Sequence, residues 1–125
     1  MSKQIIYTST DGATIIELHG AASPQVLRIM VDRKRIARAI ICDLAEPGCY
    51  VSHLYVAPAH RRQRWGWYLM QWLVELARRA KCSGISLHVA AQNQAAQSLY
   101  HLSGFFIACT TTDKEDPHYL MARAL

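Results

Sequence analysis

Hydrophobic and polar positions alternate with period two through the first half of the chain and change to helical spacing twice in the second half. "QIIYTSTDGATIIELHG" holds two strand-like runs around Asp11-Gly12, a pairing that predicts a β-hairpin. "GAASP" (20–24) reads as a loop, and "QVLRIMVDRKRIARAIICDL" (25–44) as two further strands joined by a charged turn near Asp32–Arg35. "AEPG" (45–48) is a turn by its proline and glycine, and "CYVSHLYVAP" (49–58) is a strand that Pro58 ends.

A long helix is predicted from about Arg62 to Lys81. Trp65, Leu69, Trp72, Leu73 and Leu76 fall on one side of it, and Gln71, Glu75, Arg78, Arg79 and Lys81 on the other. The basic residues gather at its C-terminal end, where the helix dipole favours them. Gly84 then opens a short strand, "ISLHV" (85–89), and a second helix runs from about Asn93 to Leu102 and stops at Ser103-Gly104. "FFIACTTT" (105–112) and "HYLMARAL" (118–125) close the chain as strands, with Asp113, Lys114, Glu115 and Asp116 in the loop between them. A strand–helix–strand crossover makes its two strands parallel. The expected architecture is α+β: a mixed, mostly antiparallel sheet with a central parallel pair and covering helices, in a single domain over 1–125.

Composition narrows this picture. An apolar fraction of 51% supports a buried core and excludes a disordered chain. A formal net charge of +5 favours anionic partners without choosing among nucleotide, nucleic acid and cofactor. Cys42, Cys49, Cys82 and Cys109 show no CxxC spacing, and two of them fall in strand-like runs, so reduced thiols and a cytoplasmic location are expected. The six histidines have no ligand-like spacing, which argues against a metal site. "MSKQIIYTSTDG" has no signal-peptide character, and Gln71 and Glu75 interrupt the most apolar segment too soon for a membrane span.

The candidate chemistry lies where the fifth strand hands over to the long helix. "APAHRRQRWGWYLMQWLVELARR" (57–79) places Arg61, Arg62, Arg64 and Gly66 at that point. Such a stretch can be an anion site, a nucleic-acid patch or an ordinary charged helix start. Free backbone N–H groups and the helix dipole favour phosphate at a helix N-terminus, and arginine adds fork-shaped donors. The basic clusters at Arg33–Arg35, 61–64 and Arg78–Lys81 are the basis for nucleic-acid binding, but no recognition helix or stacking motif accompanies them.

Two motifs in this region carry a family resemblance. "VAPAHRRQRWGWYLM" is similar to the pattern V-x-P-x-x-R-G-x-G-x-G/A, through Val56, Pro58, Arg61 and Gly66. "ISLHVAAQNQAAQSLYHLSGFF" carries every element of N-x-x-A-x-x-x-Y-x-x-x-G-F in Asn93, Ala96, Tyr100, Gly104 and Phe105. Together they resemble the GNAT superfamily of acyl-CoA-dependent N-acetyltransferases over about residues 26 to 125. The resemblance implies acetyl-CoA as co-substrate, an amine as acceptor and no metal. It implies that strands 49–56 and 85–89 splay apart, that the backbone of Leu54, Tyr55 and Val56 pairs with the pantetheine arm, and that the loop of Arg61, Arg62, Gln63, Arg64, Trp65, Gly66 and Trp67 cradles the pyrophosphate. Asn93, Ala96 and Tyr100 complete the cofactor side. The family's loop glycines align with Arg62 and Arg64, so Arg64 would be strained if its position demanded φ > 0.

The resemblance also assigns Tyr100 as proton donor to the departing thiolate. A base is harder to find. Strand alternation groups Tyr50, Ser52, Leu54 and Val56 on one face and His53 and Tyr55 on the other. The family's usual base positions fall on Ser52 and Tyr50, while His53 has the wrong parity unless a bulge shifts it. Asp113, Glu115 and Asp116 border the acceptor side or form an ordinary turn. Family members also carry two helices between their first and second strands, where this chain has a hairpin and a loop. The acceptor side is therefore expected to be open, or completed by a second copy in a homodimer. The alternative is a module of this fold that binds acyl-CoA with little or no catalysis and acts through a protein partner.

Overall fold

The computed structural model describes residues 2–111 and 115–125. Strands β1 (Lys3–Thr8), β2 (Thr14–His19), β3 (Gln25–Val31), β4 (Lys34–Cys42) and β5 (Gly48–Val56) come first. A 3₁₀ turn at Pro58–His60 leads to helix α1 (Trp65–Arg79), and β6 (Gly84–Ala90), α2 (Gln94–Leu102), β7 (Phe106–Thr110) and β8 (His118–Ala124) follow. All eight strands join one sheet in the order β1-β2-β3-β4-β5-β6-β8-β7. Neighbours pair antiparallel except β5 and β6, which are parallel. This is the mixed sheet with a central parallel pair that the sequence predicts.

Local chemistry sets the connections. Asp11 Oδ1 accepts from Ser9 Oγ at 2.6 Å and from the Ala13 N–H at 3.0 Å, and Gly12 takes φ +75° beside it. The β3–β4 loop is only Asp32 and Arg33, whose φ of 50° and 67° give the double left-handed turn that matches strand twist. At the end of α1 the Cys82 N–H reaches the Ala77 carbonyl at 2.9 Å and the Lys81 N–H reaches Arg78 at 3.0 Å, with Lys81 left-handed.

The core lies on one face of the sheet. Ile16, Leu27, Ile29, Ala37, Ala39, Ile41, Val51 and Leu87 are cross-strand neighbours on that face and are at most 1% exposed. They meet Leu69, Met70, Leu73, Val74 and Leu76 of α1. Helix α2 lies beside α1, with Leu99 close to Gly66, and Tyr100 packs 6.4 Å from Phe105. The opposite face carries Val26, Arg28, Arg38, Ile40, Ser52 and Tyr55, all only partly buried or exposed. Both helices among the described residues pack on the first face, and the loop 20–24 joins β2 directly to β3.

Two expectations need correction. Helix α1 begins at Trp65, not near Arg62, because Arg62 and Arg64 adopt φ +62° and +67° and cannot continue a right-handed helix. Alternation along β5 also breaks at His53, which has φ +53°. The β4–β5 register runs Ile40↔Ser52 and then Arg38↔Tyr55, so one β4 residue faces two on β5. Tyr50, Ser52 and Tyr55 therefore share the open face, while Leu54 and Val56 turn to the core. The grouping of Leu54 and Val56 with Tyr50 and Ser52 does not hold.

Candidate functional site

The parallel strands part in the middle. Pairing runs from Gly48↔Gly84 through Cys49↔Ile85 and Tyr50↔Ser86 to Val51↔Leu87 and stops there. Beyond it β5 stays bonded to β4 through Tyr55 and Val56, so the other edge of Leu54, Tyr55 and Val56 faces a gap. Unpaired strand edges are templates for an extended partner with amide groups.

The gap leads to a cleft of about 590 Å³ between the end of β5, the start of α1 and α2. Val56, Arg61, Arg62, Arg64, Trp65, Gly66 and Trp67 line one side, and Ala95, Ala96, Ser98, Leu99 and Leu102 the other. A Cβ at Gly66 would lie 3.1 Å from Leu99 Cδ2, so glycine keeps the two helices close. The first helical hydrogen bond is Tyr68 N–H to the Arg64 carbonyl at 3.0 Å, which leaves the N–H groups of Trp65, Gly66 and Trp67 without helical acceptors. The side chain of Arg64, at the N-cap, does not cap them, and the first turn holds no acidic residue. Arg61 Nε donates to the Val56 carbonyl at 2.9 Å, which fixes the loop to the strand end. None of the ion pairs among the described residues uses Arg61, Arg62 or Arg64.

His60 also lines this cleft, and its Nδ1 is buried without a hydrogen-bond partner among the described residues. The sequence reading missed it, although it stands in the same basic run. An orphaned ring nitrogen, guanidiniums outside any ion pair among the described residues and three N–H groups without helical acceptors make a donor set that fits a phosphorylated cofactor such as acetyl-CoA. Gln63 does not join it. Its side chain weakly reaches the Ala59 carbonyl at 3.4 Å, and it lines an adjoining cavity with Tyr7, Ser9 and Thr14 that shares Arg64, Trp65 and Trp67 with the cleft.

On α2 the motif residues divide. Asn93 caps the helix by accepting from the Ala96 N–H at 3.1 Å, while Ala96 walls the cleft. Tyr100 lies one turn further on and is 6% exposed. Burial raises its phenol above the ordinary 10.0 and keeps it protonated.

On the open face at the mouth of the gap stand two imidazoles. His53 Nδ1 lies 3.0 Å from Ser52 Oγ. His88 Nδ1 lies 2.7 Å from Tyr50 Oη, across the parallel pair. His88 was not a sequence candidate. The signal for it was positional: Ser86 pairs with Tyr50, so His88, two residues on, shares its face. Of the acidic loop, Asp113 lies outside the described residues, and Asp116 is 3.5 Å from His118 Nε2. Among the described residues no group of three or more His, Cys, Asp or Glu side chains could hold a metal, and no helix is long and apolar enough to cross a membrane.

The profile of the acetyltransferase (GNAT) family matches residues 8–105. No curated protein matches the chain in sequence. Among solved structures, the ribosomal-protein-alanine N-acetyltransferase from Escherichia coli aligns with 25% identity over 85% of this chain and 71% of that one, with a TM-score of 0.74. A chimera of the spermidine N-acetyltransferase SpeG from Vibrio cholerae and hSSAT aligns with 15% identity over 83% of this chain and 68% of that one, at 0.75. An N-acetyltransferase from Thermoplasma acidophilum, solved in complex with coenzyme A, aligns with 21% identity over 80% and 60% of the two chains, at 0.69.

Proposed function

The chain belongs to the acetyltransferase (GNAT) family over residues 8–105, and on that premise we propose that it transfers an acetyl group from acetyl-CoA to a primary amine by direct attack. One observation carries this reading: pairing between β5 and β6 stops at Val51↔Leu87, and the gap opens onto a cleft ringed by Arg61, Arg62 and Arg64. The free edge of Leu54–Val56 would take the amide-bearing arm, and the N–H groups of Trp65, Gly66 and Trp67 with the arginines would take the diphosphate.

The acceptor approaches from the open face. Its nitrogen forms a bond to the thioester carbon, and the C–S bond breaks with its electron pair on sulfur. Tyr100, held protonated by burial, donates a proton to that thiolate. The amine gives up its proton to an imidazole. With Nδ1–H donating to Tyr50 Oη, His88 keeps a lone pair on Nε2; His53 with Ser52 offers the same arrangement on the facing strand. The four free cysteines suit the reducing cytoplasm as the place of action.

Thermal shift with acetyl-CoA, set beside thiol release over a panel of amines, tests the reading. Stabilisation together with amine-dependent thiol release is expected. Stabilisation without turnover on any amine favours a binding module, and the absence of both removes the proposal.

A further inference from the structure

A row of charged residues crosses the open face beside the gap. Glu17, Arg28, Arg38 and Tyr55 are successive cross-strand partners on β2, β3, β4 and β5. Arg28 and Arg38 face each other directly, a like-charge pairing that destabilises a sheet unless something compensates it. Glu17, opposite Arg28, makes no ion pair with it among the described residues: its carboxylate is engaged by His19 Nε2 at 2.8 Å and Lys3 Nζ at 3.7 Å. Neither arginine appears in any ion pair among the described residues. Each has its Nε buried with no hydrogen-bond partner among the described residues.

Tyr55 completes the arrangement. The Arg38 guanidinium lies 5.6 Å from its ring centroid and that of Arg61 lies 5.8 Å from it. This stacking orients the Arg38 fork on the open face, one strand away from the unpaired part of β5. Strands are about 4.8 Å apart, so Arg38 and Arg28 stand roughly 5 and 10 Å from that edge. With no helix packed on this face among the described residues, nothing separates the row from a molecule at the mouth of the gap.

We propose that Arg28 and Arg38 form an anion subsite for the acceptor, so that the amine substrate carries an oxyanion, carboxylate or phosphate, a few bonds from its nitrogen. The inference rests on the acetyl-transfer reading and names its substrate class. Two guanidiniums with unused donors bind an oxyanion through paired hydrogen bonds. The same charge repels a polyamine, whose second ammonium would have to lie on this row. Anchoring the anion on β3–β4 leaves the amine of a short, zwitterionic acceptor at the level of Ser52 and His88, where the gap opens.

The test is an NMR titration of the full chain saturated with coenzyme A. Two matched pairs serve as probes: β-alanine against β-alaninamide, and O-phosphoethanolamine against ethanolamine. In the wild type the anionic member of at least one pair is expected to bind about tenfold tighter or better than its neutral partner. In R28Q/R38Q that preference should vanish while coenzyme A affinity, which reports the folded state, is kept; should the double variant not fold, R38Q alone must reduce the preference. A preference confined to the first pair assigns carboxylate, and one confined to the second assigns phosphate. Equal binding within both pairs, or a preference that survives the substitutions, overturns the subsite. A preference that persists in a chain that acetylates no amine leaves the subsite standing and removes only the transfer reading.

Discussion

Tyr50 on β5 and His88 on β6 meet across the parallel pair, Oη to Nδ1 at 2.7 Å, one residue beyond the point where pairing stops on β6. The contact sets the ring orientation of an imidazole on the open face. If that imidazole takes the amine proton, His88→Gln lowers kcat by about 10²-fold, within the usual range for a general base. Tyr50→Phe, which loses only the orienting group, costs less, and His53→Gln reports the share of the facing strand. Rates at saturating acetyl-CoA with the best amine of a panel decide this. Unchanged rates in His88→Gln and His53→Gln would leave deprotonation to solvent.

Arg64 takes a left-handed conformation, φ 67° and ψ 11°, that costs an L-residue about 1–2 kcal/mol. Arg64→Gly removes that strain and keeps the backbone N–H, at the loss of one exposed charge. Stability should rise by about 1 kcal/mol, which is about 4 °C in Tm, while coenzyme A binds about fivefold more weakly. A fall in Tm would show that the arginine side chain holds the loop together.

How far the sequence revealed this depended on what kind of order each feature needed. Period-two runs and the Asp11-Gly12 turn located the strands, because alternation and turn chemistry are local. The second motif located α2, since Asn93 is itself its cap. The start of α1 lies later than helical spacing suggests because Arg62 and Arg64, which stand where the family's loop has glycines, do take the left-handed conformation, and spacing alone does not carry that signal. Alternation offered a bulge near His53 only as a condition on its parity; the register with β4 supplies it, and it exchanged the faces of every residue from Leu54 onward. The Arg28–Arg38 pair could not be seen at all, because it depends on the register between two strands.

Tyr100 has the buried, protonated phenol that a donor to thiolate requires, and it also packs against Phe105. Phenylalanine keeps the packing and removes the proton. Tyr100→Phe should therefore retain coenzyme A affinity and Tm within about 1 °C while kcat falls roughly 10²-fold or more. In the wild type, activity should not decline through ionisation of Tyr100 until the pH exceeds its ordinary value of 10.0. A fully active Tyr100→Phe would reduce this residue to core packing.

Alkaline stability follows from the buried thiol on β5. Burial, with Cys82 beside it, pushes Cys49 from 9.0 up to about 12. The folded chain then holds a proton that the unfolded chain releases, so stability is full below about pH 9 and is lost as the pH climbs toward 12. Cys49→Ala should flatten the decline in denaturation midpoint over that window. An equally steep decline in the variant would place its origin elsewhere, with Tyr100 the next group to examine.

The most direct measurement is a calorimetric titration of acetyl-CoA into the wild type and Gly66→Val. The valine's Cβ would meet Leu99 at 3.1 Å and Val56 at 3.9 Å, filling the cleft at the first turn of α1, where the proposed reading puts the phosphates. The expected result is one-to-one binding in the wild type, weakened at least tenfold in a variant that remains folded after an overpacking cost of about 1–3 kcal/mol. A wild type indifferent to acetyl-CoA, or a valine variant that binds it equally well, would contradict the assignment of the gap between β5 and β6.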